Sequence, residues 1–197
     1  MMNELRIIRV KGRDILPFIS DLAQLRIQVF REYPYLYDGD VAYEEHYLST
    51  YSACEESVLV LVFDNKQIIG ASTAIPLEFE VMVFKKPFID HQISVKNVFY
   101  LGESVLLPKY RGKKIYKHFF HERETAAKEY GAKLTAFCAV KRAKDDIRRP
   151  KTYQELDSVW EHFGYKKHAD LCAYFKWKEI DVNEASDKPM EFWLKNL

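Results

Sequence analysis

The sequence predicts a mixed α/β protein, α+β in arrangement, and three observations carry that prediction. Two β-rich runs over 57–64 and 67–76 meet at Asn65-Lys66 and read as a hairpin. A strand over 97–107 runs into Pro108, a basic turn over 109–114, and directly into a helix over 113–130. Strands and helices then alternate: strand 133–140, helix 153–163, strand 170–180 and a last strand over 189–194.

The elements before the hairpin follow the same logic. A short strand spans 5–10. From 14 to about 32, Ile15, Phe18, Ile19, Leu22, Leu25, Val29 and Phe30 recur at helical spacing. Pro34 and Gly39 break that helix within YPYLYDGD, and a second helical stretch follows to about residue 51. The segment 79–90 has moderate helical character. In the helix over 113–130, Ile115, Phe119, Phe120, Ala126, Ala127 and Tyr130 fall on one arc and face a core. Arg123 lies inside that arc, so a carboxylate partner or snorkelling is expected for it. Gly131 suits the helix C-cap.

Composition narrows the function classes. At 197 residues the chain suits one domain spanning 1–197, large enough for a substantial core. Its 30% charged and 48% hydrophobic content is that of a globular protein. A formal net charge of +1 gives no electrostatic case for nucleic acid or an acidic membrane surface. The longest apolar runs, such as VLVLVF, fall far short of the roughly 20 residues that span a bilayer. The segment MMNELRIIRV lacks the signal-peptide order of basic, apolar and small-residue stretches, so a cytoplasmic location is expected. Cys54, Cys138 and Cys172 are odd in number and widely spaced, and read as buried thiols rather than a disulfide frame. The six histidines show no metal-ligand spacing; His118 and His121 at i, i+3 are a weak signal, and no metal is expected.

The turn after the 97–107 strand is the richest stretch. The first amides of a helix lack intrahelical partners, and its dipole places positive partial charge there. Arg111, Lys113 and Lys114 add formal charge at the same point, which makes an anion cradle whose expected guest is a pyrophosphate. The run Pro108-Lys109-Tyr110-Arg111-Gly112-Lys113-Lys114-Ile115-Tyr116 resembles the acetyl-CoA motif of the GCN5-related N-acetyltransferases (GNAT), written P-x-Y-R-G-K-G-I-G. Two signature glycines are replaced, by Lys114 and Tyr116. The order of elements along essentially the whole chain is also similar to that family.

The resemblance implies a GNAT acyl-CoA N-acyltransferase fold, with a central mixed, mostly antiparallel twisted sheet of six to seven strands flanked by helices. It implies acetyl-CoA as co-substrate. Arg111, Gly112, Lys113, Lys114, Ile115, Tyr116 and Lys117 would hold the pyrophosphate. The backbone of Ser104, Val105 and Leu106 would hydrogen-bond the pantetheine arm where two central strands splay, as an added strand does. Glu103, mid-strand on the face shared with Leu101 and Val105, is the candidate general base, because a carboxylate there must be paired, solvated or put to use. In several enzymes of the family a glutamate on this strand deprotonates the acceptor amine. The structural alternative pairs Glu103 with a cation such as Arg123 or Lys96.

A second landmark of the family, Y-x-x-x-G-F/Y, reads here as Trp160-Glu161-His162-Phe163-Gly164-Tyr165. Trp160 stands where the family's tyrosine protonates the departing thiolate, so Tyr153, Tyr165 or water would have to substitute. The basic segment 141–151 is either a solvated loop or a contact for the 3′-phosphate or an anionic acceptor. Tyr33, Tyr35, Tyr37, Asp38 and Asp40 offer aromatic walls and carboxylates; of these Tyr35, Tyr37 and Asp38 are the candidate contacts to a cationic amine. The expected activity is transfer of acetyl to a primary amine of a small-molecule or amino-acid-like acceptor. The alternatives are a CoA-binding module that does not catalyse, and transfer of a longer acyl group or to a protein amine. The terminal KPMEFWLKNL completes its own sheet or a neighbour's, so a monomer or homodimer is expected.

Overall fold

A computed structural model describes residues 5–197. β1 (Arg6–Lys11), β2 (Val58–Asp64), β3 (Gln67–Pro76), β4 (Val98–Leu106), β5 (Leu134–Val140), β6 (Lys166–Trp177) and β7 (Ser186–Asn196) form one sheet in the order β1-β2-β3-β4-β5-β7-β6. Every neighbouring pair is antiparallel except β4 and β5, which run parallel. The expected mixed, mostly antiparallel sheet is therefore present, with seven strands. The β2–β3 hairpin turns at Asn65, whose φ of +56° is a conformation asparagine tolerates. KPMEFWLKNL lies in β7, between β5 and β6, and completes the chain's own sheet.

The helices are α1 (Ile19–Phe30), α2 (Val41–Ala53), α3 (Met82–Asp90), α4 (Ile115–Tyr130) and α5 (Asp157–His162). The helix expected from 14 starts later, because Pro17 lies in a 3-10 turn over Gly12–Phe18 that precedes α1. Asp40 caps α2 by accepting the Tyr43 amide at 2.8 Å. α5 is shorter than the expected 153–163. The Tyr153 amide closes a turn on Pro150, its ring lies edge-on to Tyr33, and Arg149 holds Glu155 at 2.9 Å. Those contacts keep 153–156 out of the helix. β6 starts four residues before the expected 170, because 169–171 bulge between the pairs His168–Phe192 and Cys172–Glu191.

The helices divide between the two sheet faces. α1 and α2 bury Leu22, Leu25, Leu48 and Tyr51 on one face, where α3 also stacks Phe84 on Tyr100 and Phe175. α4 covers the other, packing Phe120, Ala126 and Ala127 on Phe99, Leu101 and Trp193. Trp160 of α5 meets Phe137 and Trp193 on that same side. Cys54 and Cys138 are buried and Cys172 half-buried, all as free thiols.

Candidate active site

β4 and β5 pair only over Val98–Tyr100 against Leu134–Ala136, although β4 continues to Leu106 and β5 to Val140. Past Tyr100 the two strands part. The β4 edge over Leu101–Leu106 is paired with β3 on one side and has no strand partner on the other among the described residues. Ser104, Val105 and Leu106 lie on this edge.

A bulge in β4 sets the direction of Glu103. Ser72 pairs with Ser104 and Ala74 with Leu101, so Gly102 and Glu103 together face the single residue Thr73. The extra residue ends the alternation that would put Glu103 on the Leu101 face. Leu101 packs toward α4, whereas Glu103 turns to α1 and lines a cavity beside Tyr100. Glycine is needed at 102: a Cβ there would stand 2.3 Å from the Tyr51 hydroxyl. Arg123 fastens the bulge from the other side. Its guanidinium donates to the carbonyls of Glu103 at 3.1 Å and Thr73 at 3.5 Å, and its Nε to Phe119 at 3.0 Å. The partners of Arg123 are thus backbone carbonyls rather than a carboxylate.

The cation that meets the Glu103 carboxylate is Arg26 of α1, not Arg123 or Lys96. Arg26 bridges Glu103 Oε2 and Glu44, and its guanidinium lies over the rings of Phe30 and Tyr47 at 5.1 and 5.0 Å. Burial opposes the Arg26 charge, but Glu103 and Glu44 outweigh it and hold the guanidinium well above its ordinary pKa. Glu103 Oε1 is buried and has no hydrogen-bond partner among the described residues.

The cavity of about 90 Å³ is walled by Phe30, Tyr35, Tyr37, Phe175, Trp177 and Met190, with Arg26, Glu44 and Glu103 as its charged groups. Tyr35 and Tyr37 come to it because their turn is tied down. The Trp177 indole donates to the Tyr35 carbonyl at 3.0 Å, Arg142 donates to the Pro34 and Tyr35 carbonyls, and Tyr37 bridges to Glu179. Burial raises the pKa of both phenols, so both stay neutral. Asp38 is not in the wall; Lys178 holds its carboxylate at 2.7 Å and Arg31 at 3.4 Å. Cys138 lies in the wall with its sulfur 3.1 Å from the Tyr100 hydroxyl, and burial pushes its thiol up to about 12.

The cradle sits at the far end of the parted edge. The amides of residues 112–116 make no backbone hydrogen bond among the described residues. Gly112 and Lys114 have φ of +77° and +63°, which turns the chain into α4. The left-handed conformation of Lys114 explains why glycine suits this position. Lys113, Lys114 and Lys117 are exposed, Ile115 is buried in the core, and Lys109 and Lys113 lie over the Tyr110 ring. Arg111 reaches sideways, pairing with Glu32 at 2.9 Å and donating to the Leu106 carbonyl at 3.3 Å.

Two of the three residues at unusual motif positions meet. Trp160 Nε1 donates to the Tyr116 hydroxyl at 3.2 Å. Tyr165 is buried and bonded to Thr135 and Glu124, and Tyr153 stands against Tyr33. Part of the segment 141–151 is packed rather than solvated. Arg142 and Arg148 converge on buried Glu179, and Arg148 also grips Asp146 and Asp181, which binds this loop to the end of β6. No group of histidine, cysteine and acidic residues suited to a metal occurs among the described residues.

Arg26, Glu44, Tyr47, Phe175 and Trp177 were not legible as site residues from sequence patterns alone. Arg26 had a signal, a cation set among Leu22, Leu25 and Val29 of an apolar stripe, the same irregularity that marks Arg123.

No protein-family model matches this chain, and no curated protein matches it in sequence. Solved structures match it over nearly its whole length. Ribosomal-protein-alanine N-acetyltransferase from Brucella melitensis aligns with a TM-score of 0.60 at 13% identity, over 98% of this chain and 99% of that one. The yncA protein of Salmonella typhimurium, assigned as an acetyltransferase and solved with its cofactor acetyl-CoA, aligns with a TM-score of 0.59 at 9% identity, over 99% and 95%. An acetyltransferase of the GNAT family from Staphylococcus aureus Mu50 gives 0.54 at 16% identity, over 98% and 99%. At these identities the likeness is one of fold, and this chain has the fold of the GCN5-related N-acetyltransferases.

Proposed function

We propose that this protein transfers the acetyl group of acetyl-CoA directly to a primary amine of a small acceptor, with Glu103 as general base. The observation that carries this reading is the parting of β4 from β5. It joins an amide cradle at one end to a cavity floored by an unpartnered carboxylate oxygen at the other. The free amides of 112–116 and the unpaired β4 edge fit a pyrophosphate and an amide-bearing arm.

In this reading Glu103 Oε1 takes a proton from the acceptor ammonium, directly or through water, while Arg26 holds the carboxylate in place through Oε2. The freed amine attacks the thioester carbonyl, a C–N bond forms, the C–S bond breaks, and the excess proton left on the nitrogen passes to water, from which the Tyr116 oxygen regains the proton it gives up. The departing thiolate takes the Tyr116 hydroxyl proton. An indole N–H only donates, so the Tyr116 oxygen accepts from Trp160 and keeps its own hydrogen free to give. Cys138 is protonated at neutral pH, which supports direct transfer over a cysteine-bound intermediate.

Release of free thiol from acetyl-CoA in the presence of amines tests the reading, with Glu103→Gln beside the wild type. Lost turnover with acetyl-CoA binding retained supports the base; unchanged turnover removes Glu103 from the mechanism. A second reading, a CoA-binding module, is favoured by Lys114 and Tyr116 in place of glycines. Its outcome is a thermal shift with acetyl-CoA and no thiol release with any amine.

A further inference from the structure

The walls of the cavity permit a sharper statement about the acceptor, one that rests on the transfer reading above. We infer that the acceptor is a monoamine on a compact apolar body, without a carboxylate. Three features carry this.

The first is the charge balance. Two carboxylates, Glu44 and Glu103, share one guanidinium, Arg26, and all three line the cavity. The lining is therefore short of one positive charge, and an ammonium supplies it. Only one carboxylate oxygen, Glu103 Oε1, is buried without a partner there, so the site offers one anchor and not the series a polyamine needs.

The second is the absence of a partner for an anion. Arg26, the one cation of the lining, is engaged by both glutamates. Arg142, which ties the neighbouring turn, is engaged by Glu179 and two carbonyls. The α-carboxylate of an amino acid would be buried without a counter-charge, beside two carboxylates.

The third is the wall itself. Phe84 and Phe175 stack at 5.3 Å with an interplanar angle of 7°, and Tyr35 lies 5.9 Å from Trp177. The aromatic rings that line the interior reward apolar surface on the acceptor. A space of about 90 Å³ is smaller than the roughly 150 Å³ that encloses benzene, so the buried part of the acceptor is compact and any ring extends toward the opening.

Matched pairs isolate the carboxylate. Isoamylamine is leucine without its carboxylate, and 2-phenylethylamine is phenylalanine without its own; spermidine tests a polyamine. The full chain is titrated with each by calorimetry without acetyl-CoA, and thiol release is then followed with acetyl-CoA present. The expected result is that each amine binds about 100-fold more tightly than its amino acid, and more tightly than spermidine. Trp177→Ala should cut the affinity for the monoamines about 10-fold while leaving the preference over the amino acids in place, since that preference comes from charge. Equal or tighter binding of leucine, phenylalanine or spermidine overturns the inference. The predicted order of binding with no thiol released by any amine would keep the cavity's selection of monoamines as ligands and overturn the transfer reading, and with it their role as acceptors.

Discussion

Trp160 donates its indole N–H to the Tyr116 hydroxyl at 3.2 Å, so two of the three positions that depart from the GNAT motifs are in direct contact. A tyrosine is absent from the position of Trp160 and a glycine from that of Tyr116, which places a phenol in the first turn of α4 against the indole of α5. The Tyr116 ring is held by Phe119, Phe120 and Phe163, which fixes where its hydroxyl points.

Tyr116→Phe removes that hydroxyl and keeps the ring. If Tyr116 protonates the departing thiolate, kcat falls about 100-fold while the KM for acetyl-CoA stays within a few-fold. Trp160→Phe removes only the orienting donor and should lower kcat less, about 10-fold. Steady-state kinetics of both variants check this; an unchanged kcat for Tyr116→Phe would assign the proton to water.

Lys114 holds φ at +63°, where a side chain meets the backbone at a cost of about 1–2 kcal/mol. Lys114→Gly relieves that and loosens the unfolded chain, for a net gain of about 0.5–1 kcal/mol, or a Tm rise of about 2–3 °C. Acetyl-CoA affinity should hold or improve, because the cradle acts through its amides. A tenfold loss of affinity by calorimetry would show that the Lys114 charge is part of the site.

Arg26 is the only cation among the described residues joined to Glu44 and Glu103, and both carboxylates are buried. Arg26→Met leaves two buried charges unpaired and should destabilise the fold by about 3–5 kcal/mol, lowering Tm by roughly 10 °C. Adding Glu44→Gln and Glu103→Gln to that variant should restore most of the loss, since the charges are gone. Thermal unfolding of the single and triple variants decides; no recovery in the triple variant would place the role of Arg26 in packing against Phe30 and Tyr47.

Glu80 is buried, and burial raises its pKa even though Tyr51, Tyr47 and the Val81 amide donate to it at 2.7, 3.1 and 2.8 Å. A raised folded-state value means that the native protein holds this proton more tightly than the unfolded chain does. The resulting stability is complete below the ordinary glutamate value of about 4.3 and is lost as pH rises through the folded value. Glu80→Gln removes this dependence. Urea unfolding from pH 4 upward should show a flatter fall in stability for the variant; parallel profiles would contradict the shift.

Much of the fold was written in local pattern. β-rich apolar runs joined at Asn65 specify the β2–β3 hairpin, the apolar arc from Ile115 to Tyr130 specifies α4, and Pro108 to Lys114 specifies the cradle, because each depends on residues adjacent in the chain. The same locality made Glu103 and Tyr35 readable as candidates. Everything that decides their surroundings is long-range. Arg26 lies 77 residues before Glu103 in the chain, and no periodicity announces that the two will meet. The bulge that turns Glu103 away from Leu101 arises in the pairing of β4 with β3, and β4 alone reads as regular alternation. Asp38 looked like part of an amine site beside its tyrosines, yet Lys178, brought in by β6, takes its carboxylate. The sequence by itself thus determined the elements and the backbone cradle, whose interactions are local. Only the tertiary structure decided which charges are neutralised, which oxygen is left without a partner, and that Tyr116 and Trp160 share a hydrogen bond, because each depends on side chains that packing alone brings together.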